Sequence, residues 1–216
     1  MSDRIERDKE LRERSLALSG EGTEYFAAYK RRVIQRIVGD KDAGPVLDFG
    51  CGTGDLLKEL VRGYAPVHGY DPDPDHLALA HKRVPSAELF DDPESLPRDH
   101  YGVVVLANVM RHVPPENRPG LVRTVVQLLR KGGTVFFFEY NPLNPITRRV
   151  ARAAPEGEGE LLPPWEVRRM LKDAKLSKHR LEFIVFFPRA FAGFRAFEPL
   201  MSRLPIGAQI VGWGVR

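Results

Sequence analysis

Three glycines within five residues, Gly50, Gly52 and Gly54, follow the apolar stretch PVLDF, and Asp48 stands two places before the first of them. A second carboxylate, Asp71, closes the next apolar stretch, VHGYD, twenty-one residues after Gly50. Glycines after a strand let the backbone turn tightly and let a ligand approach the main chain, so this spacing marks a seat for a nucleotide-type cofactor. Charge decides which one. A dinucleotide sets its pyrophosphate against the helix N-terminus, where a neighbouring carboxylate would repel it. S-adenosylmethionine has no phosphate and carries a sulfonium and an ammonium, which Asp48 would attract. The loop also reads G-x-G-x-G, whereas a dinucleotide fingerprint needs G-x-G-x-x-G. Asp71 is placed to accept from two ribose hydroxyls, although alone it would not discriminate, since nicotinamide enzymes keep an acid near that position too.

Such a loop needs a strand before it and a helix after it, and the pattern supplies both. Two helices are expected first, over 3–18 and 23–38, separated by SGEG, a helix stop followed by a new start. Strands and helices then alternate: PVLDF, TGDLLKELVRG, PVHGYD, DPDHLALAHKRV, AELF, YGVVVLANV, the amphipathic NRPGLVRTVVQLLRKGG closed by Gly132 and Gly133, and TVFFFEY. That alternation is the sequence form of an open parallel sheet with helices on both faces. The near-continuous apolar runs GVVVLA and TVFFF suit central strands buried on both sides. A Pro-rich connection over 141–164, a helix over 165–175 and the strands LEFIVFF and AQIVGWGVR complete the chain.

A length of 216 residues favours one domain. The expected organisation is a single unit over 1–216, with 1–44 a helical cap, 45–140 the cofactor-binding core, and 141–216 the acceptor-side helices and last two strands. With 43% hydrophobic and 29% charged residues the composition is that of an ordinary globular chain. The charged N-terminal stretch MSDRIERDKELRERS has no apolar core for a secretory signal, and no apolar run reaches a membrane-spanning length, so a cytoplasmic location is expected. The one cysteine, Cys51, excludes an internal disulfide and a cysteine-based metal site. The net charge of +4 is uneven, because from Arg148 onward 13 Lys/Arg face 7 Asp/Glu. A solvated face explains that modest excess better than an anionic partner, with peripheral membrane contact kept open.

In order and with the usual gaps, VLDFGCGTGDLL, VHGYDPDPDHLALA, FDDPESLP and VVVLANVMRHVPPENRPGLVRTVVQLLRKGGTVFFFEYNP resemble the successive motifs of the class I S-adenosylmethionine-dependent methyltransferases. The resemblance implies a Rossmann-like seven-stranded, mostly parallel α/β sheet with helices on both faces and an N-terminal helical extension. It implies that Asp48 lies near the methionine ammonium, with Gly50, Cys51, Gly52 and Gly54 lining methionine and ribose, and that Asp71 holds the ribose with Pro72 beside the adenine. Asp92 matches the residue that accepts from the adenine amino group, Leu96 should cover the ring, and Asn108 matches a position facing the methionine and the reacting sulfur. One departure stands out. The fourth strand begins YGVVV, with Gly102 where many members carry an aspartate.

Methyl transfer is an in-line displacement, so holding the nucleophile about 3 to 3.5 Å from the methyl carbon supplies most of the catalysis. An oxygen or protonated-nitrogen acceptor must also lose a proton, and His112, after the fourth strand, is the candidate base. A structural role capping the next helix fits the sequence equally well. Glu139, Tyr140 and Asn141 leave the fifth strand at the same edge and are candidates to line the acceptor pocket, as are Tyr25 and Tyr29 on the second helix. Ordinary packing is the safer reading of the tyrosines, because EYFAAYKRRVIQRIV must bury one face. FIVFFPRAFAGFRAF interleaves arginines with phenylalanines. Base stacking, an interfacial helix and a lid over an apolar acceptor all suit that pattern, but Phe191, Phe194 and Phe197 covering a helix face against the core is the favoured reading.

Other chemistries fail on spacing. Asp71, Asp73 and Asp75 begin like a calcium loop, but His76 and Lys82 stand where the turn glycine and the bidentate glutamate belong. GCGTG has Gly52 where a nucleophile elbow needs its serine. The histidines show no metal spacing, and Asn108, Glu139 and Asn141 lack the aspartates of a magnesium-dependent methyltransferase. The Asn-Pro-Pro-Tyr of base-methylating enzymes is replaced by ANVM, which disfavours a nucleic acid. The expected acceptor is small or lipid-like, with O-methylation slightly favoured over N-methylation. The rival is a protein that binds S-adenosylmethionine without transferring the methyl group, as a cyclase or a regulatory binder.

Overall fold

The computed structural model describes residues 19–39, 43–152 and 160–216. The helix expected over 3–18 lies outside them. Helix α1 (Thr23–Val38) turns Ala27, Lys30, Val33 and Ile34 inward, positions three and four apart that share one helix face. The strands β1 (Val46–Phe49), β2 (Val67–Tyr70), β3 (Glu88–Phe90), β4 (Tyr101–Ala107), β5 (Leu129–Tyr140), β6 (Ser177–Ile184) and β7 (Gln209–Val215) form one sheet in the order β3-β2-β1-β4-β5-β7-β6. The pairings that join β1 through β5 are parallel, and β7 runs antiparallel to both β5 and β6. The sheet is therefore mostly parallel, as expected. The chain steps outward from β1 to β3 and then returns to β4 beside β1, so strand order reverses between β1 and β4. The crevice at the carboxyl ends of those two strands is where open α/β sheets bind ligands.

Helices α2 (Asp55–Leu60), α3 (Pro74–Arg83), α4 (Arg118–Leu128), α5 (Pro145–Arg152), α6 (Pro164–Asp173) and α7 (Glu198–Met201) connect the strands. Alternate residues of each central strand feed two cores. Leu47, Phe49, Leu106 and Phe137 pack with Val125 of α4 and Leu171 of α6, whereas Val46, Val105, Phe136 and Phe138 pack with Ile34 of α1 and Leu57 of α2. Two-sided burial is why these strands read as unbroken apolar runs.

Three local expectations need correction. The helix before β5 stops at Leu128, and the strand starts at Leu129 rather than after the glycine pair. Leu129 pairs with Tyr101, and the backbones of Gly132 and Gly133 exchange hydrogen bonds with Arg216, so a partner at the far end of the chain pulls this segment into the sheet. The Pro-rich connection also contains α5. Asn144 starts it by accepting from the backbone N–H of Ile146 and Thr147, with Pro145 at the first helical position.

The third correction concerns Phe191, Phe194 and Phe197, which are 55%, 54% and 55% exposed rather than packed on the core. Their segment, Arg189–Phe197, is 3₁₀ helix broken by a kink at Phe191, not a regular helix with one face on the core. Polar anchors hold the segment to the protein instead. Arg195 donates to the Phe187 carbonyl and pairs with Glu21, and buried Glu198 accepts from the backbone N–H of Phe186 and Phe187.

Gly102 has a steric explanation. A Cβ there would fall on the carbonyl oxygen of Ala43, and its backbone N–H donates to the Pro45 carbonyl at 2.9 Å. The approach to β1 lies against the start of β4, leaving no room for the aspartate common at this position.

Candidate functional site

The loop after β1 folds over the end of β2, with the backbone N–H groups of Gly50 and Cys51 both donating to the Tyr70 carbonyl at 2.7 and 2.9 Å. Gly50 and Gly54 have φ of +81° and +86°, and a Cβ on Gly50 would meet Val109 at 2.5 Å. Nothing lies within 4 Å of the place where a Cβ on Gly52 would stand, so the middle of the loop faces open space. Cys51 is buried, and burial together with the charges of Asp48 and Asp71 pushes its thiol pKa up, away from nucleophilic use.

Asp48 is 1% exposed, and neither carboxylate oxygen has a hydrogen-bond partner. Burial pushes its pKa up to about 7 against the pull of Lys30. Asn108, just beyond the end of β4, sits at φ +60°, and its buried Oδ1 also lacks a partner. The strained backbone and the bare acceptors stand at the two strands where the order reverses. Buried acceptors without donors are costly and rare. The three bare atoms are all oxygens, two of them on a carboxyl group, a set that fits a ligand bringing N–H donors and positive charge, as the methionine end of S-adenosylmethionine does.

Asp71, at the end of β2, is already oriented. It accepts from the Gly52 backbone N–H at 2.8 Å, from the Asp73 backbone N–H at 3.0 Å, and from Nδ1 of His76 at 3.1 Å. Burial works to raise its pKa, but these hydrogen bonds outweigh it and hold the group below the usual carboxylate value. Pro72 is exposed beside it. Asp73 and Asp92 do the same local job, each accepting from the backbone N–H two residues on, ahead of a proline that opens a helical turn. Asp92 is exposed, while Leu96, which ends its turn, is 3% exposed.

The residues expected on the acceptor side divide into tied and untied groups. Glu139 is buried, accepts from the Met110 backbone N–H at 2.9 Å, and has its pKa raised to about 8 by burial, opposed by that hydrogen bond and by Arg111 and Arg118. It fastens the turn after β4 to β5. Asn141 is 0% exposed and donates to the carbonyls of Pro205 and Gly207 at 3.1 and 2.7 Å, so its side chain serves the loop before β7. His112 is exposed on the 3₁₀ turn Met110–His112, where its Nε2 accepts from Arg111 at 3.1 Å. The buried Tyr25 hydroxyl lacks a hydrogen-bond partner, and the Arg195 guanidinium lies 4.4 Å from its ring centroid. Among the described residues no cluster of His, Cys, Asp or Glu could hold a metal ion.

Sequence reasoning missed two side chains. Lys30 is 7% exposed, and its charge acts on Asp48. Its signal was a lysine at an inward position of an otherwise apolar stripe. His76, which steadies Asp71, stands five residues after it across a strand-to-helix turn, a spacing with no periodic signature.

A family model described as a methyltransferase domain matches residues 23–192. An uncharacterized methyltransferase of Bacillus cytotoxicus is 29% identical over 126 residues, covering 56% of this chain and 58% of that protein. A ubiquinone biosynthesis O-methyltransferase of Bordetella avium is 30% identical over 142 residues, covering 60% and 56%. The chain thus spans a little over half the length of the curated relatives it matches. The crystal structure of a SAM-dependent methyltransferase from Archaeoglobus fulgidus superposes with a TM-score of 0.73 at 15% identity, covering 93% of this chain and 97% of that one, a likeness of fold.

Proposed function

The chain belongs to the methyltransferase domain family of S-adenosylmethionine-dependent enzymes, and from that premise we propose that it methylates a small-molecule or lipid-like acceptor, with oxygen favoured over nitrogen. The observation that carries the reading is the pair of bare, buried Asp48 oxygens at the mouth of the glycine loop. When bound, S-adenosylmethionine supplies an activated methyl group on a positively charged sulfur. In this reading Asp48 would face the ammonium, Asn108 the rest of the methionine, and Asp71 the ribose hydroxyls. Gly50, Cys51, Gly52 and Gly54 would line the cofactor, Pro72 and Leu96 would flank the adenine, and Asp92 would accept from its amino group. The three-part division of 1–216 and a cytoplasmic location belong to the same proposal.

On the acceptor side, Glu139 and Asn141 act by fixing loops, and Tyr25 offers its hydroxyl to the substrate. His112 takes the acceptor's proton. The lone pair for that proton is on Nε2, where the Arg111 N–H now sits at 3.1 Å, so the proton transfer requires Arg111 to release it first. The Bordetella O-methyltransferase supports oxygen over nitrogen.

Binding without transfer is favoured by one observation, the exposure of His112 and its engagement by Arg111. Radiolabelled methyl incorporation into a cell extract, separated into lipid, small-molecule and polymer pools, tests the proposal. Label in the lipid or small-molecule pool supports it. Label in the polymer pool alone overturns the acceptor class, and no label in any pool, with cofactor binding intact, favours the alternative.

A further inference from the structure

Among the described residues nine large apolar side chains are exposed, and all but Trp165 lie within 143–146 and 191–206. The first stretch is fastened to the C-terminal end of the second. Asn144 donates to the Ile206 carbonyl at 2.6 Å, Asn141 to the carbonyls of Pro205 and Gly207, and Thr147 to that of Ala208 at 3.1 Å. Leu200 is 82% exposed and Ile146 60%, and exposed apolar side chains grouped in this way mark an interaction surface. The cations on this face, Arg148, Arg149, Arg189 and Arg203, are exposed as well. The one carboxylate within 143–149 and 189–206 is Glu198, and it is buried, accepting from Tyr29 at 2.5 Å and from the backbone of Phe186 and Phe187. Among the described residues this face therefore presents apolar side chains beside arginines that form no ion pair with a carboxylate.

Its position follows from the sheet. β6 is antiparallel to β7, which is antiparallel to β5, so β6 ends at the same edge as β1 and β4. The segment 185–208 leaves from that edge and returns to it, and Glu198 and Arg195 tie it to Tyr29 and Tyr25 of α1, the helix whose Lys30 acts on Asp48. The segment thus lies at the carboxyl edge of the sheet, against the helix that reaches Asp48.

We propose that this face, built from residues 143–149 and 189–206, docks on an anionic phospholipid bilayer and presents the mouth of the crevice to the membrane surface. Leucine and isoleucine side chains gain by leaving water for the acyl boundary while neighbouring arginines meet lipid phosphates, the combination that holds interfacial segments. A second copy of the chain would set arginines against arginines across a two-fold contact. A nucleic acid would use the phenylalanines for stacking but leave Leu200, Leu204, Ile206 and Ile146 without a role.

Docking is independent of the acceptor's identity and is read without any methyl transfer. The test is co-sedimentation of the full chain with vesicles of phosphatidylcholine alone and of phosphatidylcholine with an equal part of phosphatidylglycerol. Binding to the anionic vesicles is expected, at least about tenfold weaker on neutral vesicles or in high salt, since each arginine near an anionic surface strengthens binding roughly fivefold. The variant Phe191→Ser/Phe194→Ser/Phe197→Ser and the separate variant Arg148→Gln/Arg149→Gln should each lose tenfold or more while S-adenosylhomocysteine affinity stays unchanged. Should the phenylalanine variant fail to fold, Leu200→Ser alone should weaken binding severalfold. The proposal is overturned by failure of the chain to sediment with anionic vesicles, by equal binding to both vesicle types, by full binding in the variants, or by these same variants dispersing a dimer or releasing RNA without affecting vesicle binding.

Discussion

The two halves of the sheet solve the same problem in opposite ways. Around β2 and β3 the aspartates are held by backbone within a few residues or from the adjacent loop: Asp71 by Asp73 and Gly52, Asp92 by Glu94, Asp73 by Asp75. Around β5 to β7 the holding contacts span long separations, from Asn141 to Gly207, from Tyr29 to Glu198 and from Gly133 to Arg216. The first half orients these carboxylates locally and leaves the buried Asp48 oxygens unpaired. The second buries the apolar side chains of its strands, uses its buried polar groups internally, and turns the apolar side chains of 143–146 and 191–206 outward.

Perturbing each half should separate stability, turnover and affinity. The largest effect is expected at the seam, where Gly102→Ala drives a methyl group into the Ala43 carbonyl and should cost about 3 kcal/mol or more of stability, seen as a lowered denaturant midpoint. A midpoint unchanged from wild type would mean that the Ala43 segment yields freely.

On the acceptor side, His112→Ala should slow turnover about a hundredfold or more with little change in cofactor affinity, the signature of a lost proton acceptor. Unchanged turnover removes His112 from the chemistry and leaves positioning as the main source of rate. Glu198→Ala strips Tyr29 and two backbone N–H groups of their acceptor in the second half. It should cost about 2 kcal/mol of stability and leave S-adenosylhomocysteine affinity intact, so a large loss of affinity would show the halves to be coupled.

The smallest expected effect is on pH. Burial raises the Asp48 pKa to about 7, so with its ionised form facing the ligand's ammonium as proposed, affinity for S-adenosylhomocysteine should rise with pH through that value. It should be about tenfold weaker a unit below than on the ionised plateau. The same raised pKa acts on folding in the other direction. It favours the protonated native state, so the stabilisation it gives is present at low pH and is lost as pH rises from the ordinary carboxylate range through about 7. Calorimetry of wild type and Asp48→Asn across this range checks both, and an identical slope in the variant would assign the titration to another group.

The same contrast explains what could be read from the amino acids alone. The order of strands and helices around the glycine loop, with Asp48 and Asp71 at the strand ends, is written in local patterns: apolar runs, glycine spacing, and aspartate before proline. The start of β5 was misplaced because Arg216 decides it from the other end of the chain. The outward turn of Phe191, Phe194 and Phe197 was missed because a three-residue spacing reads as a buried helix edge, whereas the kink at Phe191 and the Arg195–Glu21 pair that hold the segment have no local signature. Lys30 went unnoticed because a lysine on an apolar helix face gains meaning only once Asp48 is known to lie beneath it.

Titration calorimetry with S-adenosylhomocysteine, on wild type and Asp71→Ala, tests the central claim most directly. The account predicts binding by the wild type and a loss of roughly a hundredfold in the variant, which gives up two hydrogen bonds to a charged group. A wild-type protein that ignores S-adenosylhomocysteine yet binds NAD, or an Asp71→Ala variant that binds as tightly as wild type, would contradict it.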